Sequence, residues 1–136
     1  MRVALITFCQ PADGRINSIV KTLETGSVSR GNQVELINGF QDLTNTRLTA
    51  FDYIAVVFKA QGLFGGKLPA RIGRFLATSG NIVSKKGCAL VIKAGFSSAK
   101  ACKNLMKVME AEGVKLDYFD IVGDEEQARI TGKKIG

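Results

Sequence analysis

In the stretch TFCQPADGRIN, Cys9 and Arg15 stand with five residues between them. A thiolate is a strong nucleophile, and a guanidinium grips two phosphate oxygens at once. A nucleophile and an anion-binding cation so close in sequence could act on a phosphate. The stretch suits a simpler task as well. Gln10, Gly14 and Arg15 lie where an apolar run gives way to helical spacing, and the free N–H groups at a helix start welcome an anion. Pro11 removes one donor from that turn, and an inward Asp13 would repel a phosphate. The opposing reading is an ordinary strand-to-helix turn, with Asp13 as the cap and Gly14 in an unusual backbone conformation. A thiol at the position of Cys9 is expected to have a lowered pKa. Against a reactive role, the chain has no His, and no second Cys is near in sequence. That leaves Cys9 as a small packing residue.

Two further loops carry candidates. In AQGLFGGKLPA, Gln61, Phe64 and Gly65 precede a helix. Phe64 would stack on a planar ring, fold over the core, or stay exposed for a protein partner. In KAGFSSAK, Gly95 offers its backbone N–H, and Phe96 is an apolar side chain at a loop tip, which needs a core or a ligand. Ser97 or Ser98 is expected to cap the helix that follows. Arg15, Lys59, Lys67, Arg71, Lys93 and Lys100 lie in or just after these three loops. Together they predict a positive rim.

Composition narrows the chemistry. Without His, a His-dependent triad and a His-ligated metal site are excluded. Three widely spaced cysteines with no CxxC suit reduced thiols. The apolar run at the N-terminus is too short for a signal peptide, and no run is long enough to cross a bilayer. The expectation is a cytoplasmic protein with no membrane partner. A net charge of +7 favours an anionic partner: a phosphate-bearing cofactor, an acidic protein or nucleic acid. Nucleic acid is disfavoured, because no helix interleaves a dense basic stripe with aromatics.

The elements that must position these loops are legible from periodicity. Residues 3–8 are β-branched-rich without polar alternation, and 53–58 and 88–92 are apolar throughout, which fits strands covered on both faces. Residues 34–37 form another short run, and 116–122 are less apolar, as an edge strand would be. Ile16, Ile19, Val20 and Leu23 make one helical stripe. Ile72, Phe75 and Leu76 make a second behind Pro69 at a first turn, and Cys102, Leu105, Met106 and Met109 a third, closed by Gly113. Asp124 is placed to cap a last, charged helix. Residues 39–51 hold a short helix or only a loop. Strand and helix alternate, so an α/β three-layer sandwich with a five-stranded parallel sheet follows, as one domain over 1–136. In such sheets ligands bind at the carboxyl ends of the strands. The loops 9–15, 59–68 and 93–98 all leave from those ends.

At these loops the sequence resembles the flavodoxin-like family, particularly its branch of small FMN reductases, from Val3 to about Ala128. Cys9 stands where that family has a Ser of the phosphate loop and Gly14 where it has a Gly. Arg15 and Ile16 replace the usual Asn and Thr. Gln61 and Gly62 replace a Thr-Pro, Phe64 keeps an aromatic, and GGKLPARIGRFL continues the pattern. The resemblance implies strand order 2-1-3-4-5 and FMN as cofactor. It would be held by Cys9, Gln10, Gly14, Arg15, Gln61, Phe64, Gly65, Gly95 and Phe96. It implies electron transfer or flavin-dependent reduction, with an acidic redox protein as partner. The missing hydroxyls motivate an alternative: a flavodoxin-fold module that has lost flavin and serves as a binding or interaction protein. The Cys–Arg spacing is also similar to that of the low-molecular-weight phosphatases and implies a Cys-dependent phosphatase-like enzyme. Those phosphatases have a hydroxyl where Ile16 stands and an Asp-Pro that this chain lacks.

Overall fold

Val3 and Leu5 face one way from the first strand, Ala4 and Ile6 the other, and all are buried, because helices cover both faces. The computed structural model describes residues 1–9, 14–41, 47–59 and 66–136. Strands β1 (Arg2–Phe8), β2 (Gln33–Asn38), β3 (Tyr53–Lys59), β4 (Lys86–Ile92) and β5 (Lys115–Val122) form one parallel sheet in the order β2-β1-β3-β4-β5. Helices α1 (Gly14–Val28) and α4 (Glu125–Gly132) pack with Val3, Leu5, Val57 and Leu90 on one face. Helices α2 (Ala70–Thr78) and α3 (Ser98–Ala111) pack with Ala4, Ile6, Phe8 and Val91 on the other.

The helical stripes read from sequence are the buried ones. Ile16, Ile19, Val20 and Leu23 are buried, and so are Ile72, Leu76, Cys102, Leu105 and Met109. Phe75 and Met106 are half-buried against the same core. Each enclosed Leu or Ile contributes roughly 1.5–3 kcal/mol. Gly113 closes α3 in a left-handed conformation, φ +90°, which spares a side-chain penalty there. Asp124 caps α4, its Oδ1 accepting from the Gln127 N–H at 2.8 Å. β5 is an edge strand, as its lower apolar content predicted, and its burial is mixed.

Residues 39–51 contribute one short helix among the described residues, the 3-10 turn Leu48–Ala50, in line with the expected short helix or loop. Two expectations change. Pro69 sits one position earlier than the first helical turn, extended at φ −61° and ψ 138°. Neither Ser97 nor Ser98 caps α3 with its side chain. A 3-10 turn, Gly95–Ser97, feeds directly into the helix. Ser98 is therefore inside the helix and buried, and its Oγ accepts from the Ala94 N–H at 3.0 Å, tying the loop to α3. Among the described residues, no helix is long and apolar enough to cross a membrane.

Candidate functional site at the strand ends

Phe8 lies beside Phe58, Phe58 beside Val91, and Lys59 beside Ile92. The loops after β1, β3 and β4 therefore leave from neighbouring strands at the same end of the sheet. Of the residues selected from sequence, Cys9, Gly14, Arg15, Gly95 and Phe96 are described; Gln10, Gln61, Phe64 and Gly65 lie outside the described residues.

Cys9 directly follows β1 and is buried, its thiol directed at the Val57 carbonyl at 3.9 Å. Burial pushes the thiol up to about 11, outweighing the Lys59 backbone and ammonium, which pull it down. The lowered pKa expected from its position is thus corrected: desolvation disfavours the thiolate more than the nearby positive charge favours it. Cys88, enclosed in the sheet, is pushed up to about 12 by the same cause. Gly14 is the first residue of α1 and takes no left-handed angle, contrary to the ordinary-turn reading. A Cβ there would meet nothing within 4 Å among the described residues. The first turn of α1 carries no acidic residue. Arg15 Nη2 donates to the Gly123 carbonyl at 2.6 Å, joining the start of α1 to the exit of β5. Ile16, at the place of the family's hydroxyl, is core.

These thiols define a test. Near neutral pH, Cys9 should react with iodoacetamide at least tenfold more slowly than a free thiol, on the order of its thiolate fraction. A raised folded pKa keeps the proton on the native thiol after the unfolded one has released it. The contribution to stability is intact below pH 9.0, the unfolded value, and is lost as pH rises toward about 11. For Cys9 the loss is about 1 kcal/mol over the first pH unit of that window. Urea denaturation of the protein and of Cys9→Ala across this range measures it.

In the third loop Gly95 takes φ +67°, a conformation only glycine adopts without strain. Phe96 follows, with its side chain fully exposed at 103%. The second loop returns at Gly66, φ +74°, against α3: a Cβ there would come within 2.6 Å of the Ala101 nitrogen, and Asn104 Nδ2 donates to the Gly66 carbonyl at 3.0 Å. Of the expected rim, Lys67, Lys93 and Lys100 are exposed and Lys59 is half-buried at the end of β3. Arg71 is turned to the Gly39 carbonyl, 3.2 Å away.

Sequence reasoning missed a neighbouring hollow of about 700 Å³ beside the third loop, reached by Lys93, Phe96, Ser98, Gly123 and Gln127. Its signal was the D-E-E-Q spacing of a capping box. Gln127 Oε1 accepts from the Gly123 N–H at 3.0 Å, so one glutamine orders the exit of β5. No group of three or more potential metal ligands occurs among the described residues.

No protein-family model matches the sequence, and no curated protein does. Solved structures do match its architecture. An archaeal flavodoxin superposes with TM-score 0.75 at 18% identity, over 99% of this chain and 96% of that one. Oxidised flavodoxin 1 from Bacillus cereus gives TM-score 0.70 at 14% identity, over 98% and 94%. An apo NADH:FMN oxidoreductase gives 0.67 at 12% identity, over 99% and 90%. With the same strand order and two helices on each face, the chain has the flavodoxin-like fold.

Proposed function

We propose that this protein binds FMN at the ends of β1, β3 and β4 and serves electron transfer or flavin-dependent reduction. The observation that carries the reading is Phe96: a fully exposed aromatic ring on a glycine-hinged loop, at the ligand-binding end of a flavodoxin-like sheet. An exposed ring of this kind is satisfied by stacking, which adds about 0.5–1.5 kcal/mol beyond burial. The open space at Gly14 and the acid-free first turn of α1 fit a phosphate. Phe96 and the Gly95 backbone fit the edge of a planar ring. Gln10, Gln61, Phe64 and Gly65 complete the proposed set, and Cys9 supports it from beneath. FMN, when bound, supplies the redox chemistry; the chain orients it and surrounds it with Lys59, Lys67 and Lys93. A rim of that sign fits an acidic redox protein.

Titration of FMN with purified protein should quench flavin fluorescence at micromolar protein. Phe96→Ala should weaken binding roughly two- to tenfold. Absence of quenching rejects the reading.

A second reading is favoured by two contacts. The Cys9 thiol points into the sheet and Arg15 is engaged by Gly123, so two first-loop candidates are committed within the fold. A module that has lost flavin would show this, and would bind a protein instead. It predicts a colourless protein indifferent to FMN. The phosphatase reading draws no support from a thiol held in its protonated form.

A further inference from the structure

We propose that the face between α3 and the outer edge of β5 docks a partner protein through an acidic segment with a large apolar anchor. The proposal does not rest on flavin binding. Ala99, Cys102, Lys103, Met106, Phe119 and Ile121 line a largely apolar groove of about 360 Å³. Phe119 is 58% exposed beside it. Ala99 and Ile121 also border the more polar hollow beside the third loop, so the two adjoin at the start of α3. An apolar groove bordered by the exposed Phe119 ring marks an interaction surface, and aromatic side chains dominate such interfaces.

Charge selects the occupant. Lys100, Lys103 and Lys107 are exposed and spaced at i, i+3 and i+7, so they run as one row down α3 beside the groove. Glu110 lies at the foot of the row, and Lys93 and Asp124 both border the adjoining hollow. The carboxylate of Asp120, which borders the groove, is already held by Thr131 Oγ1 at 2.8 Å, Tyr118 Oη at 3.2 Å and Gln127 Nε2 at 3.3 Å. Asp117 accepts from the Tyr53 hydroxyl. These neutral donors direct the carboxylates without cancelling their charge; the row meets a partner as positive because Lys100, Lys103 and Lys107 outnumber Asp120 and Glu110 beside the groove. A second copy of a chain with net charge +7 would be repelled there; carboxylates would be attracted.

The mode of approach also follows. An edge strand invites an added strand. Here the Ile121 N–H bonds Asp120 Oδ1 at 2.8 Å, and the Ile121 carbonyl accepts from Gln127 Nε2 at 2.7 Å. These side chains close the backbone of β5 beside the groove to strand pairing. The partner accordingly enters side chain first, its anchor in the groove and its acids along the lysine row.

The probe is a fluorescein-labelled amphipathic peptide of glutamate and leucine, compared with versions having serine for leucine or lysine for glutamate. Anisotropy at low salt, with and without FMN, should show binding of the first peptide only, equally in both conditions. Phe119→Ser and Lys107→Glu should each weaken it about tenfold. Both positions are exposed, so the fold is kept, and amide shifts in NMR should cluster at residues 99–107 and 118–122. Failure to bind, equal binding of the serine version, or competition by FMN overturns the proposal. So does tighter binding of a single-stranded oligonucleotide, or a dimer abolished by Phe119→Ser. Loss of flavin quenching alone leaves it standing and rejects only the flavin reading.

Discussion

Gly87→Ala will lower the unfolding free energy by about 3 kcal/mol, the upper end of ordinary overpacking. Gly14→Ala will leave stability unchanged or raise it by up to about 1 kcal/mol. The same added methyl meets opposite surroundings. At Gly87 it overlaps the Ile54 carbonyl oxygen and comes within 2.7 Å of Val114 Cγ1. That oxygen belongs to the backbone of β3, so relief requires the β3–β4 ladder to open. At Gly14 the methyl projects into open space, on a residue already helical. The consequence reaches the candidate site, because the β3–β4 register sets Lys59 beside Ile92 and so aligns the second and third loops. Chemical denaturation of the two variants checks this. A loss below about 1 kcal/mol for Gly87→Ala would show that the ladder accommodates the methyl.

Gly26→Leu is expected to lower stability by about 3 kcal/mol and to loosen the C-terminal helix selectively. Helices α1 and α4 touch through glycines: a Cβ on Gly26 would come within 2.8 Å of the Gly132 Cα and carbonyl carbon. Backbone against backbone leaves nothing to rotate away. Parting the helices also stretches the Ser27 Oγ to Ile135 carbonyl hydrogen bond, now 2.9 Å. Amide exchange should accelerate in α4 more than in β1 or β3. Once the helices are parted, Gly132→Ala should add little, so the double variant will lose less than the two single losses combined. Equal, additive losses would contradict a shared contact.

This Gly–Gly crossing marks where sequence reading stopped. The helical stripes of α1, α2 and α3 were legible because an apolar residue every third or fourth position has only one physical use, burial against a sheet. The runs of β1, β3 and β4 were legible because strands covered on both faces carry no polar alternation. Glycine in a helix has no such single meaning, so nothing in the sequence said that Gly26 and Gly132 touch.

At the site the division is similar. The spacing of Cys9 and Arg15 suggested a thiolate beside a guanidinium, but spacing carries no information on burial. Cys9 sits under the sheet surface, where desolvation keeps its proton, and Arg15 reaches a carbonyl 108 positions away in sequence. Ser98 looked like a cap and instead holds the Ala94 N–H, because a 3-10 turn already leads into α3.

By itself, the sequence determined which segments are strands and helices, that they alternate, and that three glycine-bearing loops share one end; these are local properties of periodicity and turn chemistry. Only the tertiary structure decided the burial that raises the Cys9 thiol, the engagement of Arg15, and the open groove between α3 and β5. Each depends on which distant groups exclude water or donate a hydrogen bond, and that is known only once the chain has closed on itself.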